Sequence, residues 1–173
     1  MGSRGTRAFS NKKSKIKKTL YHGSGYDFTS FEEGHSGKTT GNIGAFGQGF
    51  YLTSKKEYAD YYVRDASNNL GKGNIYSVKV NIEKPFYWNS IKTEEQFDEF
   101  APTLNVPGLT WNPYEKGIHQ IMDDETSVAF TKALKKLGYD GVVFKFKGSD
   151  QDEIIAFDPD QIKIIGKERG IRG

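Results

Sequence analysis

The stretch NIYSVKVNI, residues 74–82, alternates between apolar and polar side chains. A period of two places successive side chains on opposite faces of a β-strand, so that one face is apolar and the other polar. Such a strand needs partner strands and a layer that covers its apolar face. The chain is therefore expected to build a sheet against a hydrophobic core.

Five more short strands and three helices are predicted around this strand. The strands cover residues 18–22, 49–54, 139–146, 153–158 and 161–165. The helices cover residues 55–66, 93–101 and 123–138, and Thr93 is the expected cap of the second. Pro85 is expected to end the strand of residues 74–82. A few helices inserted among many short, mostly antiparallel strands indicate an α+β fold.

Charge divides the chain into two parts. Residues 1–18 contain seven Lys or Arg and no acid, whereas the other residues contain 18 basic and 22 acidic side chains. We expect residues 1–18 to form a basic flexible tail and residues 19–173 to form one domain. The tail is predicted either to contact nucleic acid through its phosphates or to act only as a solubilising leader.

Composition excludes several kinds of site. Cysteine is absent, so the chain has no disulfide, catalytic thiol or thiolate metal site. The three histidines are scattered, and we expect no metal. No apolar run has membrane-spanning length, and the start of the chain lacks a secretory signal. We therefore expect a cytoplasmic monomer.

Four segments in order carry a resemblance to a known family: YHGS (21–24), GQGFYLTS (47–54), GYDGVV (138–143) and DEIIAFDPDQIKI (152–164). They resemble the ADP-ribosyltransferase superfamily in its His-Tyr-Glu branch, which contains poly(ADP-ribose) polymerases and diphtheria-type toxins. The resemblance is closest to small phage and bacterial domains in polyvalent proteins, and it spans residues 19–166. It implies a split mixed or antiparallel sheet with flanking helices, and NAD as the substrate.

The resemblance assigns the catalytic and NAD-binding residues. Cleavage of the ribose–nicotinamide bond develops positive charge on the ribose, which a fixed carboxylate stabilises. Glu153 is the candidate for that carboxylate. His22 is implied to bind the ribose on the adenosine side, as a neutral imidazole that donates or accepts a hydrogen bond. The segment after His22 has turn-like composition, and Gly23 is implied to bind the nicotinamide carboxamide through its backbone.

Further side chains are expected around the nicotinamide and the acceptor. Tyr51 is implied to stack on the nicotinamide ring, with Tyr61 or Tyr62 on the other face. Ser24 is implied to assist through its hydroxyl. Gln151, two residues before Glu153, is implied to help to choose the acceptor.

Departures from the family pattern narrow the expected activity. Tyr58 stands where poly(ADP-ribose) polymerases usually have a serine, and no segment of the sequence resembles a regulatory helical domain. We therefore predict mono-ADP-ribosyl transfer to a macromolecule, protein or nucleic acid, by a phage or bacterial effector or toxin acting in the host cytoplasm. An NAD glycohydrolase and an inactive nucleic-acid-binding module are the alternatives.

Overall fold

The computed structural model describes residues 8–31, 44–67 and 73–170. The helices of this part are α1 Lys56–Ser67, α2 Glu94–Leu104 and α3 Asp124–Lys136. Its strands are β1 Leu20–Ser24, β2 Phe50–Thr53, β3 Asn74–Val80, β4 Pro85–Tyr87, β5 Trp111–Asn112, β6 Gly117–Ile118, β7 Gly141–Lys145, β8 Asp152–Ala156 and β9 Ile162–Arg169.

Seven of these strands form one mixed sheet in the order β4-β7-β8-β2-β1-β3-β9, and β5 pairs with β6 in a separate hairpin. Only β4 and β7 are parallel, and all other pairs in the sheet are antiparallel. The predicted α+β fold with a mixed sheet is confirmed.

The sheet opens between β1 and β2. These strands share a single register pair, Tyr21 with Thr53. In contrast, β2 pairs with β8 from Phe50 to Thr53, and β1 pairs with β3 along its whole length. Two halves, β4-β7-β8-β2 and β1-β3-β9, therefore diverge from one contact, as the resemblance implies.

Each face of the sheet buries a different part of the core. One cluster takes side chains from both halves, including Leu20, Leu52, Tyr76 and Ile154. Helices α2 and α3 cover the opposite face of the β4-β7-β8-β2 half with a cluster that includes Phe130 and Ile155. Helix α1 covers the β1 and β3 strands through Ala59, Val63 and Ile75. The opening between β1 and β2 thus lies where these packed layers meet.

Helix ends follow the sequence signals. The Thr93 hydroxyl accepts a hydrogen bond from the Gln96 amide, and the Gln96 side chain bonds back to the Thr93 amide, which completes a capping box. The Asp123 carboxylate accepts from the Thr126 amide at the start of α3. Gly138, with a φ of +89°, follows the end of α3. The predicted cap and the predicted third helix are confirmed.

The region between β3 and α3 differs from the prediction. Pro85 does not end a strand but begins β4, and β3 ends earlier, at Val80. The hairpin of β5 and β6 lies where no strand was predicted, because strands of two residues leave no periodic pattern in a sequence.

Part of the predicted basic tail packs on the domain. Ser14 is buried, and its hydroxyl accepts from the amide of Ile82 at 3.0 Å. The Lys15 amide donates to the Ile82 carbonyl at 2.7 Å, and Ile16 packs against the main core. The packed domain therefore begins before the predicted boundary at residue 19, because one buried hydroxyl fixes the backbone of a lysine-rich segment. Residues 1–7 of the tail lie outside the described residues.

Helices α1 to α3 are too short or too polar to cross a bilayer, and no other helix among the described residues is long and apolar enough to do so.

Candidate active site

His22 lies at the opening between β1 and β2. Its Nδ1 is 2.8 Å from the Tyr51 carbonyl oxygen, so the imidazole bridges the two strands just beyond their only register pair. A carbonyl only accepts, so Nδ1 carries the proton and Nε2 has a free lone pair. The rings of Phe28 and Phe31 lie against the imidazole. Burial lowers the pKa of His22, so the ring is neutral at pH 7.

Tyr51 lies in β2 across the opening from His22. Its hydroxyl donates to the Gly47 carbonyl at 2.6 Å and accepts from the Phe46 amide at 3.0 Å. Burial raises the pKa of Tyr51 well above its usual range, and the nearby Glu153 and Tyr62 raise it further. The phenol is thus neutral, and both hydrogen bonds of its hydroxyl are made with the loop that precedes β2.

Glu153 is the buried acid of this region. It lies in β8 opposite Thr53 of β2, on the same face of the sheet as Tyr51, and it is only 7% exposed. Among the residues that the structure describes, no donor lies within hydrogen-bond distance of its carboxylate. Burial raises the pKa of Glu153 to about 7. The Glu153 side chain is therefore buried, and its carboxylate has no hydrogen-bond partner in the described part of the chain and is poised between its charged and neutral forms.

Gly23 and Ser24 do not form the expected turn, since both lie within β1. A Cβ on Gly23 would lie 1.8 Å from the Ala59 carbonyl oxygen, so α1 packs directly on the glycine backbone. The absence of a side chain is thus required by helix packing, whatever the backbone binds. Ser24 is buried, and its hydroxyl accepts from the Tyr26 amide at 3.1 Å.

The sequence did not point to two hydroxyls that fix the loop before β2. Ser127 and Thr131 of α3 donate to the carbonyls of Gly44 and Gln48, at 2.9 and 2.8 Å. Gly47 has a φ of +104°, and a Cβ there would lie 2.8 Å from the Thr131 hydroxyl. The sequence signal for these contacts is that Ser127 and Thr131 lie four residues apart, as two polar residues on an otherwise apolar face of the predicted helix.

The aromatic candidates on α1 differ in their surroundings. Tyr62 is half-buried and close enough to Tyr51 to affect its pKa, whereas Tyr61 is 60% exposed. Tyr58, at the position of the family's usual serine, is also exposed.

Gln151 and Glu153 lie at the end of the loop that joins β7 to β8. Gln151 is buried and precedes Glu153 by two residues, so both side chains lie on the same side of the strand. The loop is fixed to its neighbours: Lys18 forms an ion pair with Asp152 at 2.5 Å, and the Asp152 amide donates to the Ser54 hydroxyl at 2.8 Å. A second ion pair joins Lys55 to Asp150 at 2.6 Å.

His22 thus contacts the Tyr51 backbone carbonyl across the opening, and Tyr51 and Glu153 share one face of β2 and β8. The His22 ring lies on the other face, against Phe28 and Phe31. Within residues 8–31, 44–67 and 73–170, no group of three or more His, Asp or Glu side chains could hold a metal ion. A neutral imidazole, a neutral phenol and an unpaired carboxylate are suited to binding hydroxyls and stabilising a cation.

Comparison with known proteins gives a family match and several distant structural similarities. Residues 16–171 match the family described as ADP-ribosyltransferase in polyvalent proteins. A chain of the M. tuberculosis MbcT–MbcA toxin–antitoxin complex is 14% identical, with 89% of this chain and 84% of that chain covered and a TM-score of 0.47. An anti-CRISPR protein is 10% identical, with 88% of this chain and 98% of that chain covered and a TM-score of 0.44. No curated protein matches the chain.

The family match covers His22, Tyr51 and Glu153 and every strand and helix described above. It begins within the lysine-rich segment that packs on the domain. The chain belongs to the family of ADP-ribosyltransferases in polyvalent proteins.

Proposed function

We propose that the protein is an NAD-dependent mono-ADP-ribosyltransferase. It uses Glu153 to cleave NAD and transfers the ADP-ribose to a macromolecule. The observation that carries this proposal is the buried side chain of Glu153 beside Tyr51, whose carboxylate has no hydrogen-bond partner within residues 8–31, 44–67 and 73–170. A fold gains nothing from burying a carboxylate without a partner, because desolvation penalises its charge. A substrate that develops positive charge beside the carboxylate would offset this desolvation cost.

In the reaction, the bond between the ribose C1′ and the nicotinamide nitrogen breaks, and its electron pair leaves with neutral nicotinamide. The ribose becomes oxocarbenium-like, and the Glu153 carboxylate stabilises its charge. An acceptor oxygen or nitrogen then bonds to C1′ and loses its proton to the carboxylate or to water. Glu153 also accepts a hydrogen bond from a ribose hydroxyl, which holds the sugar in place.

His22 is proposed to orient the ribose on the adenosine side of NAD. Its Nδ1 proton is used by the Tyr51 carbonyl, which leaves Nε2 to accept a hydrogen bond from a ribose hydroxyl. The lowered pKa of His22 keeps this acceptor available at neutral pH. The imidazole therefore serves as a positioning group rather than as a proton carrier.

The nicotinamide is proposed to lie between the Gly23 backbone and the Tyr51 ring. Beyond Tyr21, β1 has no register pair with β2, so the backbone edge at Gly23 is open to a carboxamide on that side. The proximity of Tyr62 to Tyr51 favours Tyr62 over the exposed Tyr61 as the second aromatic. Ser24 supports the edge through its bond to the Tyr26 amide.

The proposal is tested with NAD labelled separately on nicotinamide and on adenine. Purified protein is incubated with each form, with and without a cell lysate, and the products are separated. We expect nicotinamide release together with adenine label on lysate macromolecules. Nicotinamide release with free ADP-ribose as the only other product would instead show a glycohydrolase. No release under either condition would contradict the proposal and favour an inactive binding module.

A further inference from the structure

A row of exposed or half-exposed lysines crosses one end of the seven-stranded sheet. Five strands, β7, β2, β1, β3 and β9 in sheet order, each contribute at least one lysine, either within the strand or just beyond its end. We call this row the lysine edge; its members are Lys17, Lys18, Lys55, Lys79, Lys145, Lys147 and Lys163.

The strand registers align these lysines beside the candidate active site. Lys145 of β7 lies opposite Asp152 of β8, the residue before Glu153. On the other side, Thr53 lies opposite both Glu153 and Tyr21, which places the start of β1 at the same end. Because the two halves of the sheet diverge between β2 and β1, the row has two arms, from β7 to β2 and from β1 to β9. Each arm is about 10 Å across, since neighbouring strands lie about 4.8 Å apart.

Positive charge exceeds negative charge along the lysine edge. Two of its lysines, Lys55 and Lys18, form ion pairs with Asp150 and Asp152, and Glu57 lies near Lys55. The other five lysines, among them Lys79 and Lys163, form no ion pair with the residues that the structure describes.

One pair within the lysine edge opposes folding. Lys79 and Lys163 lie directly opposite each other on β3 and β9, so their side chains share a face. Like charges in that arrangement destabilise a sheet. The buried Ser14 nevertheless fixes the lysine-rich segment against this end, where the Lys79 ammonium donates to the Lys17 carbonyl at 2.9 Å. An anionic ligand would offset this repulsion between like charges.

An exposed aromatic ring adjoins the lysine edge. The Lys147 ammonium donates to the Glu115 carbonyl at 2.7 Å, which brings the turn between β5 and β6 to the loop before β8. Tyr114 at this turn is 94% exposed. Lysines that follow a backbone, together with an exposed ring, are typical of surfaces that bind single-stranded nucleic acid. An acidic protein partner would need the charges alone.

We propose that the lysine edge binds single-stranded nucleic acid and that this nucleic acid is the ADP-ribose acceptor. This inference rests on the proposed function. The phosphates contact the lysines, a base stacks on Tyr114, and a base nitrogen or sugar hydroxyl enters the site beside Gln151 and Glu153. That atom bonds to C1′ as nicotinamide leaves, and its proton passes to Glu153 or to water.

The first experiment measures binding without NAD. Fluorescence anisotropy of a labelled poly(U) oligonucleotide of about 15 nucleotides is recorded with the full chain at salt concentrations from about 50 to about 200 mM, a range over which counterion release changes affinity strongly. We expect the affinity to fall with salt, with a log–log slope of roughly −0.7 for each phosphate contacted. Lys79→Gln with Lys163→Gln should reduce the magnitude of the slope by about 1.4.

The matched control is Lys132→Gln with Lys136→Gln, which removes the same charge from the exposed face of α3. This control should bind like the wild type. An equal loss of affinity in both double variants, or no salt-dependent binding by the wild type, overturns the proposed surface. Thermal melting of each variant checks that it is folded.

The second experiment locates the transferred label. Adenine-labelled NAD is supplied with poly(U), with single-stranded DNA, or with lysate protein freed of nucleic acid. Label on either oligonucleotide that resists protease supports the inference. Nicotinamide release with label only on protein overturns the acceptor assignment and leaves the proposed function intact. No nicotinamide release with any acceptor contradicts the proposed function and the acceptor assignment together.

Discussion

Glu153 and Asp150 lie three residues apart on one hairpin, and the fold treats their carboxylates in opposite ways. Asp150 lies on the exposed loop, where the Lys55 ammonium lowers its pKa. Glu153 lies inside the strand, without a partner among the described residues, and burial raises its pKa to about 7. Asp150, the outer acid, is thus stabilised in its charged form by Lys55. Under the proposed function, the positive charge that develops on the ribose is the partner of Glu153, the inner acid.

Among the effects that sharpen this contrast without replacing Glu153, the largest is expected on the pH dependence of NAD cleavage. Because the reaction needs ionised Glu153, kcat/KM should fall about tenfold per pH unit below about 7, and so about 100-fold by pH 5. Asp150 remains ionised over that range and contributes nothing to the profile. A flat profile between pH 5 and 8 would show that the inner carboxylate does not govern the reaction. Nicotinamide release at low NAD concentration measures it.

The next effect concerns the ring that neighbours the inner acid. Tyr51→Ala should raise the KM for NAD about tenfold or more, because the nicotinamide loses its stacking surface. Tyr51→Phe keeps the ring and loses only the bonds to the Gly47 carbonyl and the Phe46 amide, so its KM should stay nearer the wild-type value. An unchanged KM in Tyr51→Ala would remove this residue from the nicotinamide face. Tyr87→Ala, on a partly exposed ring of β4, is the matched control.

A smaller effect is expected on stability. The folded-state pKa of Glu153 lies above its unfolded value, so the protonated form is favoured in the folded protein. Its burial is therefore tolerated below about pH 4.5 and becomes destabilising as the pH rises through about 7. At pH 8, Glu153→Gln should increase the free energy of unfolding by roughly 1–3 kcal/mol, which raises Tm by about 2–4 °C per kcal/mol. A lower Tm for this variant would mean that the carboxylate has a structural partner.

The smallest effect is expected at the outer acid. Asp150→Asn breaks an exposed ion pair with Lys55, and such pairs add little to stability. Its Tm at pH 8 should decrease by less than Glu153→Gln increases it, and the difference should shrink as salt screens the wild-type pair. Nicotinamide release should match the wild type. A loss of activity here would show that the loop itself, and not only Glu153, is part of the catalytic machinery.

Most of the fold could be predicted from local patterns in the sequence. The alternation around Val78 predicted β3, and the Thr93 cap predicted the start of α2, because each signal acts over a few residues. The segment Pro85–Tyr87 gave no such signal, since a strand of three residues is held by its parallel partner β7. Long-range packing decides such elements.

The candidate site could likewise be predicted only in part: its residues could be named, but their contacts could not. The family resemblance singled out His22, Tyr51 and Glu153, whereas their mutual contacts depend on which strands become neighbours. Nothing local predicts that Ser127 and Thr131 hold the loop before β2, or that Ala59 excludes a side chain at Gly23. Ser14 is similar, because a single serine in a lysine run shows no sign of burial.

The most direct test compares nicotinamide release by Glu153→Gln and by Glu83→Gln, an exposed acid that lies beyond β3. Both variants lose one negative charge and keep nearly the same shape. We predict that Glu153→Gln lowers kcat by roughly 100- to 1,000-fold while Glu83→Gln matches the wild type. Wild-type rates for a folded Glu153→Gln protein would contradict the role of this carboxylate in cleaving NAD.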